Sequence, residues 1–199
     1  MSDGGRQIYE AIGAIQKQIL QLVLDERLRE ENGRIYLPKN HMAERETARL
    51  AKAMIGNVAI KGDIDKIISQ AEKDCGIILA DKQREAVKMS VTNNISIITG
   101  GPGTGKTAVV KVIYAVFKKI FGGNINENVN SNDFDSRVVF AAPTGRAARR
   151  LAESVGADAA TLHSTLGLRE DSEEANNLID ANLLVVDEIS MVDMCATRS

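Results

Sequence analysis

Cysteine is scarce in this chain, limited to Cys75 and Cys195. The two lie far apart and match neither a zinc-ligand nor a redox spacing, so they are read as free or buried thiols in a reducing cytosol. Also missing is any apolar run near the roughly 20 residues that a membrane span requires. The segment after Met1 lacks the basic-then-apolar profile of a signal peptide. A cytoplasmic setting with no membrane partner is therefore expected. Positive charge is not in excess: 25 Lys and Arg stand against 27 Asp and Glu, a formal net charge of −2. Any nucleic acid would have to be held by a local patch. No internal repeat or low-complexity tract is found. With 44% hydrophobic and 26% charged residues over 199 positions, the composition argues against disorder and suffices for one domain with a small helical appendage.

Up to about Ala80 the pattern is mostly helical. Ile8, Ile12, Ile15, Ile19, Leu22 and Val23 recur at three- and four-residue steps and define one apolar face. Gly33 is expected to end that helix, with Arg34 to Leu37 extended ahead of Pro38. Further helices are predicted over about Met42 to Ile55 and Ile64 to Lys73, the latter capped by Asp63. After Asp81 the grammar changes. A helix over Lys82 to Val91 leads to a strand over Ile95 to Thr99, a glycine-rich turn and a helix over Lys106 to Phe121. An asparagine-rich stretch, 122–136, reads as a surface loop. Then come a strand over Val138 to Ala142, a helix over Arg146 to Val155, a polar and acidic connection, and a strand over Leu183 to Val186. Apolar strands alternating with helices predict an α/β fold around a parallel sheet covered on both faces.

Gly100-Gly101-Pro102-Gly103-Thr104-Gly105-Lys106-Thr107 fits the pattern G-x-x-x-x-G-K-[ST] between a predicted strand and a predicted helix. Glycines let the backbone wrap close to a phosphate, so that amide N–H groups and a helix N-terminus face the anion. Lys106 is expected to bring a point charge to the β- and γ-phosphates, and the Thr107 hydroxyl to ligate Mg²⁺. Some 80 residues later, Leu183-Leu184-Val185-Val186-Asp187-Glu188 is an apolar strand ending in two carboxylates. Asp187 is expected to hold Mg²⁺, usually through a water, and Glu188 to orient and deprotonate the attacking water. The Asp-Glu pair and the lack of an N-K-x-D pattern favour ATP over GTP.

Four segments resemble superfamily-one helicases, and among these the RecD type. Leu79-Ala80-Asp81-Lys82-Gln83-Arg84-Glu85-Ala86-Val87 is similar to the adenine-recognising Q motif. Residues 98–107 resemble the first motif, Ala141-Ala142-Pro143-Thr144-Gly145-Arg146-Ala147-Ala148-Arg149-Arg150-Leu151 resembles motif Ia, and residues 185–193 resemble motif II. Thr161-Leu162-His163-Ser164 is similar to a T-[IL]-H element shared by RecD-type and Pif1-type helicases. Arg34-Ile35-Tyr36-Leu37-Pro38, followed by Ala43-Glu44, resembles the segment ahead of the motor in long RecD-like proteins. The resemblance implies a P-loop, RecA-like motor lobe over residues 79–199 behind a helical region over 1–78, with ATP and Mg²⁺ as cofactors. It implies an ATP-driven 5′→3′ DNA helicase with roles in repair and recombination, acting on single-stranded DNA, with other exodeoxyribonuclease V subunits as partners. It assigns Gln83 to adenine, the loop Gly101, Pro102, Gly103, Thr104, Gly105, Lys106 and Thr107 to nucleotide, and Lys106 with Glu188 to catalysis. Thr107 and Asp187 go to the metal, and Pro143, Thr144, Gly145, Arg146 and His163 to DNA.

Alternatives stand beside these assignments. His163 also reads as a structural histidine, and Arg146, Arg149 and Arg150 as a solvated helix face with an acidic partner such as Glu153. A Pif1-type lobe, or a P-loop module without motor activity, fits much of the same sequence. Motif III and a second lobe have no counterpart up to Ser199, so the chain is read as a fragment with an incomplete sheet. Alone it is expected to be at best a slow ATPase and no helicase.

Overall fold

Residues 3–121, 138–167 and 179–192 are described by the computed structural model. They divide into one unit within Met1–Leu50 and another within Ala51–Val192.

In the first unit, α1 (Asp3–Leu24) stops nine residues short of Gly33, the residue expected to end it. Gly33 serves a different turn. β1 (Arg29–Glu31) and β2 (Arg34–Tyr36) pair antiparallel with Glu31 opposite Arg34, leaving Asn32 and Gly33 as a two-residue loop. Both have positive φ, 52° and 75°, as a type I′ hairpin turn requires, and Asn-Gly suits it best. α2 (Pro38–Met54), whose last residues from Ala51 on are counted with the second unit, begins four residues before the expected Met42, because Pro38 has no N–H to lose at the first helical position. His41 Nε2 lies 3.2 Å from Glu31 Oε2, and the Tyr36 ring meets the His41 ring edge-on at 5.4 Å.

The second unit is organised around α5 (Lys106–Phe121), which buries Val109, Val112, Ile113, Tyr114, Val116 and Phe117. A helix buried this far round its circumference lies between two layers. On one side it meets α3 (Ile64–Cys75) and α4 (Asp81–Thr92) through Ile68, Ala71, Leu79, Val87 and Val91. On the other it meets β3 (Val138–Ala142) and α6 (Gly145–Val155), where the Tyr114 and Phe140 rings cross edge-on at 5.2 Å. Each fully buried valine of α5 contributes roughly 1.5–3 kcal/mol relative to exposure. Asp63 caps α3 as expected, accepting from the N–H groups of Asp65 and Lys66. Arg84 of α4 donates to the Glu72 carboxylate, to the Asp65 carbonyl (2.6 Å) and to Ser69 Oγ (2.7 Å). α3, which the sequence reading set before residue 79, thus packs on the P-loop helix.

The sheet holds three parallel strands in the order β4-β3-β5, where β4 is Ala159–Thr161 and β5 is Leu183–Val186. β4 and the short helix α7 (Leu162–Leu166) fall inside what was expected to be a polar connection. Ala159-Ala160-Thr161 is too short and too little apolar to announce a strand. The strand expected at Ile95 to Thr99 is not formed: this segment carries no strand pairing, and Ile97 is 82% exposed. β4 and β5 occupy both edges of β3, and no described strand runs beside residues 95–99. Its apolar pattern therefore has no ladder to join. Only Ile98 of its isoleucines packs on the core. The predicted loop at 122–136 lies outside the described residues, as does 168–178 of the acidic connection.

Candidate functional site

The glycine-rich loop enters α5 through two left-handed residues, Gly103 (φ 73°) and Gly105 (φ 78°), conformations that disfavour any residue with a Cβ. Val109 N–H donates to the Gly105 carbonyl at 3.1 Å. The helix thus begins at the loop's end, and the N–H groups of Lys106, Thr107 and Ala108 are left without intrahelical acceptors. Thr104 Oγ1 donates to the Gly101 carbonyl (2.8 Å). The Lys106 ammonium turns back on the loop, donating to the carbonyls of Gly100 (2.6 Å) and Gly101 (3.0 Å). Thr107 is exposed at the helix start.

Gln83, in the first turn of α4, is joined to this loop. Its Nε2 donates to the Thr104 carbonyl and its Oε1 accepts from the Ala80 N–H, both at 2.9 Å. A Cβ built on Gly105 would sit 2.6 Å from that Nε2, so the glycine provides room for the glutamine as well as its own φ. Both ends of the carboxamide are used within the protein. A contact to adenine would require exchanging one of them.

The remaining motif residues gather at one edge of the sheet. Parallel pairing sets Ala142 opposite Thr161 and Ala141 opposite Val186, so the carboxyl ends of all three strands lie side by side. Pro143, Thr144 and Gly145 follow β3, Leu162 and His163 follow β4, and Asp187 and Glu188 follow β5. The Asp187 N–H donates to the Ala141 carbonyl at 3.0 Å, extending the ladder one residue past Val186. Thr144 Oγ1 caps α6 by accepting from the Ala147 N–H at 3.2 Å. The N–H groups of Gly145 and Arg146 stay free of intrahelical acceptors. Thr161 Oγ1 caps α7 in the same manner, from the Ser164 N–H at 3.2 Å, and the His163 side chain is exposed. Sequence reasoning overlooked Thr161 as the cap of α7; a threonine at the N-cap position was the only signal.

Glu188 has φ 52°, left-handed backbone that costs a non-glycine residue about 1–3 kcal/mol. Its N–H donates to Asp187 Oδ1 at 2.9 Å. Lys106 and Asp187 do not meet: the ammonium is bound to its own loop and the carboxylate accepts from its neighbour's amide. A depression of about 410 Å³ is lined by Asp65, Lys66, Ser69, Gln70, Lys73 and Arg84. It includes no residue of the P-loop or the strand-end cluster. The wrapped loop, its unengaged amides and the Thr107 hydroxyl form a donor set that fits a magnesium-bound polyphosphate.

Residues 83–198 match the family described as AAA domain. The chain is 32% identical over 165 residues to an ATP-dependent RecD2 DNA helicase of Deinococcus radiodurans, covering 80% of this chain and 21% of that protein. It is 32% identical over 133 residues to the RecBCD enzyme subunit RecD of Mycobacterium tuberculosis, covering 57% and 22%. To the same subunit of Haemophilus influenzae it is 33% identical over 139 residues, covering 57% and 20%. The chain spans about a fifth of the length of these relatives.

Proposed function

The chain belongs to the AAA domain family, and on that premise we propose that it is the ATP-binding lobe of a 5′→3′ DNA helicase of the RecD type, over residues 79–199 and braced by α3. Strand separation is assigned to the longer motor. Two observations carry the reading: three strand ends converge at one edge of the sheet, and the P-loop sequence has the backbone turns its chemistry needs. Open parallel sheets bind their ligands at that edge.

In this reading the N–H groups of the loop and of the first turn of α5 hold the phosphates. Lys106 exchanges its two carbonyl acceptors for phosphate oxygens. Thr107 and Asp187 would hold Mg²⁺, which when bound neutralises charge developing on the β- and γ-oxygens. Glu188 orients the attacking water and takes its proton. Gln83 takes the adenine by exchanging one of its two internal hydrogen bonds, to the Thr104 carbonyl or from the Ala80 N–H. At the same edge, the N–H groups of Gly145 and Arg146 take a backbone phosphate of single-stranded DNA. Pro143 and Thr144 shape that approach, and His163 faces the strand.

The rival reading is a nucleotide-binding module without motor activity. The two part on whether single-stranded DNA stimulates ATP hydrolysis. Stimulation is expected, together with its loss and a nucleotide affinity at least about tenfold weaker in Lys106→Ala. Unchanged nucleotide affinity in Lys106→Ala would overturn the site. Hydrolysis indifferent to DNA would favour the passive module.

A further inference from the structure

The turn that carries α3 into α4 is wound around one residue, Glu72, which lies outside all the motif segments. Its carbonyl accepts from the Ile77 N–H at 2.9 Å, and the Gly76 N–H donates to the Lys73 carbonyl at 3.1 Å. These are the paired bonds that close a helix at a left-handed glycine. The Glu72 carboxylate reaches further along the chain. Its Oε1 accepts from the Leu79 N–H at 2.9 Å, and its Oε2 accepts from the Arg84 guanidinium. Both oxygens are used, and the side chain is only 14% exposed, so water is poorly placed to replace either partner. Arg84 is held at three points along one face of α3: the Asp65 carbonyl, Ser69 Oγ and Glu72.

These bonds fall on the residues that flank Gln83. Ala80 is the N-cap of α4 and has no side-chain acceptor to offer. The Ala80 N–H is held instead by Gln83 Oε1, the half of a capping box that the third helical residue supplies. Gln83 therefore fastens the start of its own helix, while its Nε2 fastens the P-loop at the Thr104 carbonyl. When its amide turns to adenine, one of these ties is released. The ties that remain on either side are Leu79 to Glu72 and Arg84 to Glu72, both anchored on α3, which itself packs on α5. A group reads a ligand only as well as its supports fix it. We infer that Glu72 is a positioning residue for base recognition: by clamping Leu79 and Arg84 to α3, it holds Gln83 at the P-loop while the Gln83 amide exchanges an internal partner for adenine. This rests on the reading of Gln83 as the adenine contact, and it brings α3 into the working of the nucleotide site.

The test is the ratio of ATP to GTP affinity of the full chain, measured by competition against a fluorescent ADP analogue, with folding checked by circular dichroism. The wild-type chain should prefer ATP. Gln83→Ala should lower that preference by roughly two- to tenfold, the worth of one hydrogen bond. Glu72→Ala should lower it by a similar factor. Glu72→Asp, one methylene too short to span both partners, should lower it by less and serves in its place if the alanine variant does not fold. Glu72→Ala/Gln83→Ala should fall no further than Gln83→Ala, because the same route is removed twice. If the Glu72 variants that fold lose stability but keep the wild-type ratio, Glu72 supports the fold alone; the inference is overturned and Gln83 keeps its role. A double variant whose loss is the product of the two single losses would overturn it as well, by placing Glu72 on a separate path. Should Gln83→Ala itself leave the ratio unaltered, the adenine reading falls and this inference with it.

Discussion

Gly105 does two jobs at one Cα. Its φ of 78° carries the loop into α5, and its missing Cβ leaves room for the Gln83 amide. Gly105→Ala should lose about 1–2 kcal/mol to left-handed strain, with a further loss from the displaced glutamine. In a denaturant-unfolding cycle, combining it with Gln83→Ala should recover only the second part. Full recovery would show that backbone conformation plays no role there. Glu188 poses the opposite case, a carboxylate held in a conformation suited to glycine. Glu188→Gly should therefore leave stability unchanged or raise it by up to about 1 kcal/mol while abolishing ATP hydrolysis. Glu188→Gln should abolish hydrolysis without the gain in stability. A loss of stability in the glycine variant would mean that the side chain supports the fold.

α3 is held to the P-loop helix by apolar contacts and is capped at its own start by one carboxylate. The Asp63 carboxyl lies below its ordinary pKa, chiefly because the Lys66 backbone N–H binds its ionised form. A depressed folded-state pKa stabilises above the unfolded value of about 3.9 and is lost as the pH falls through the folded value. Asp63→Ala should accordingly lower the melting temperature at pH 7, and by progressively less as the pH falls below about 4. A deficit that stays constant between pH 7 and pH 3 would contradict capping by the ionised carboxylate. The Lys119 ammonium likewise holds the Asp74 carboxyl down, linking the far end of α3 to the last turn of α5. Capping of this kind was legible from the Asp63-Ile64-Asp65-Lys66 run alone, because a cap depends on residues within one turn. The hairpin was legible too, in Asn32-Gly33, but a glycine after an amphipathic run also fits a helix end. Only the pairing of Arg29 with Tyr36 decides between them.

Across the second unit, backbone satisfaction is uneven. β3 is paired on both edges, whereas residues 95–99 carry no strand pairing. In hydrogen exchange, amides of Ile95 to Thr99 should exchange nearly as fast as unfolded chain, and those of Phe140 and Ala141 far more slowly. Equal protection in the two segments would show that residues 95–99 are part of a ladder after all. Leu184 is 44% exposed in β5, so apolar surface on that strand, too, is left uncovered.

What the sequence alone determined is whatever depends on neighbours in the chain: the P-loop spacing, the start of α5 at Lys106, the amphipathic split of α6, the carboxylates ending β5. Such features follow from backbone freedom, helical period and turn chemistry, which act over a few residues. Tertiary structure decided which apolar segments found partners. It made Ala159–Thr161 a strand and left Ile95–Thr99 without one. A strand is completed by hydrogen bonds to residues distant in sequence, and no local pattern states whether those residues will be alongside. It also bound Lys106 to its own loop and joined Gln83 to Thr104 across 21 residues, since a charged or polar group takes the acceptor that lies nearest in the folded chain.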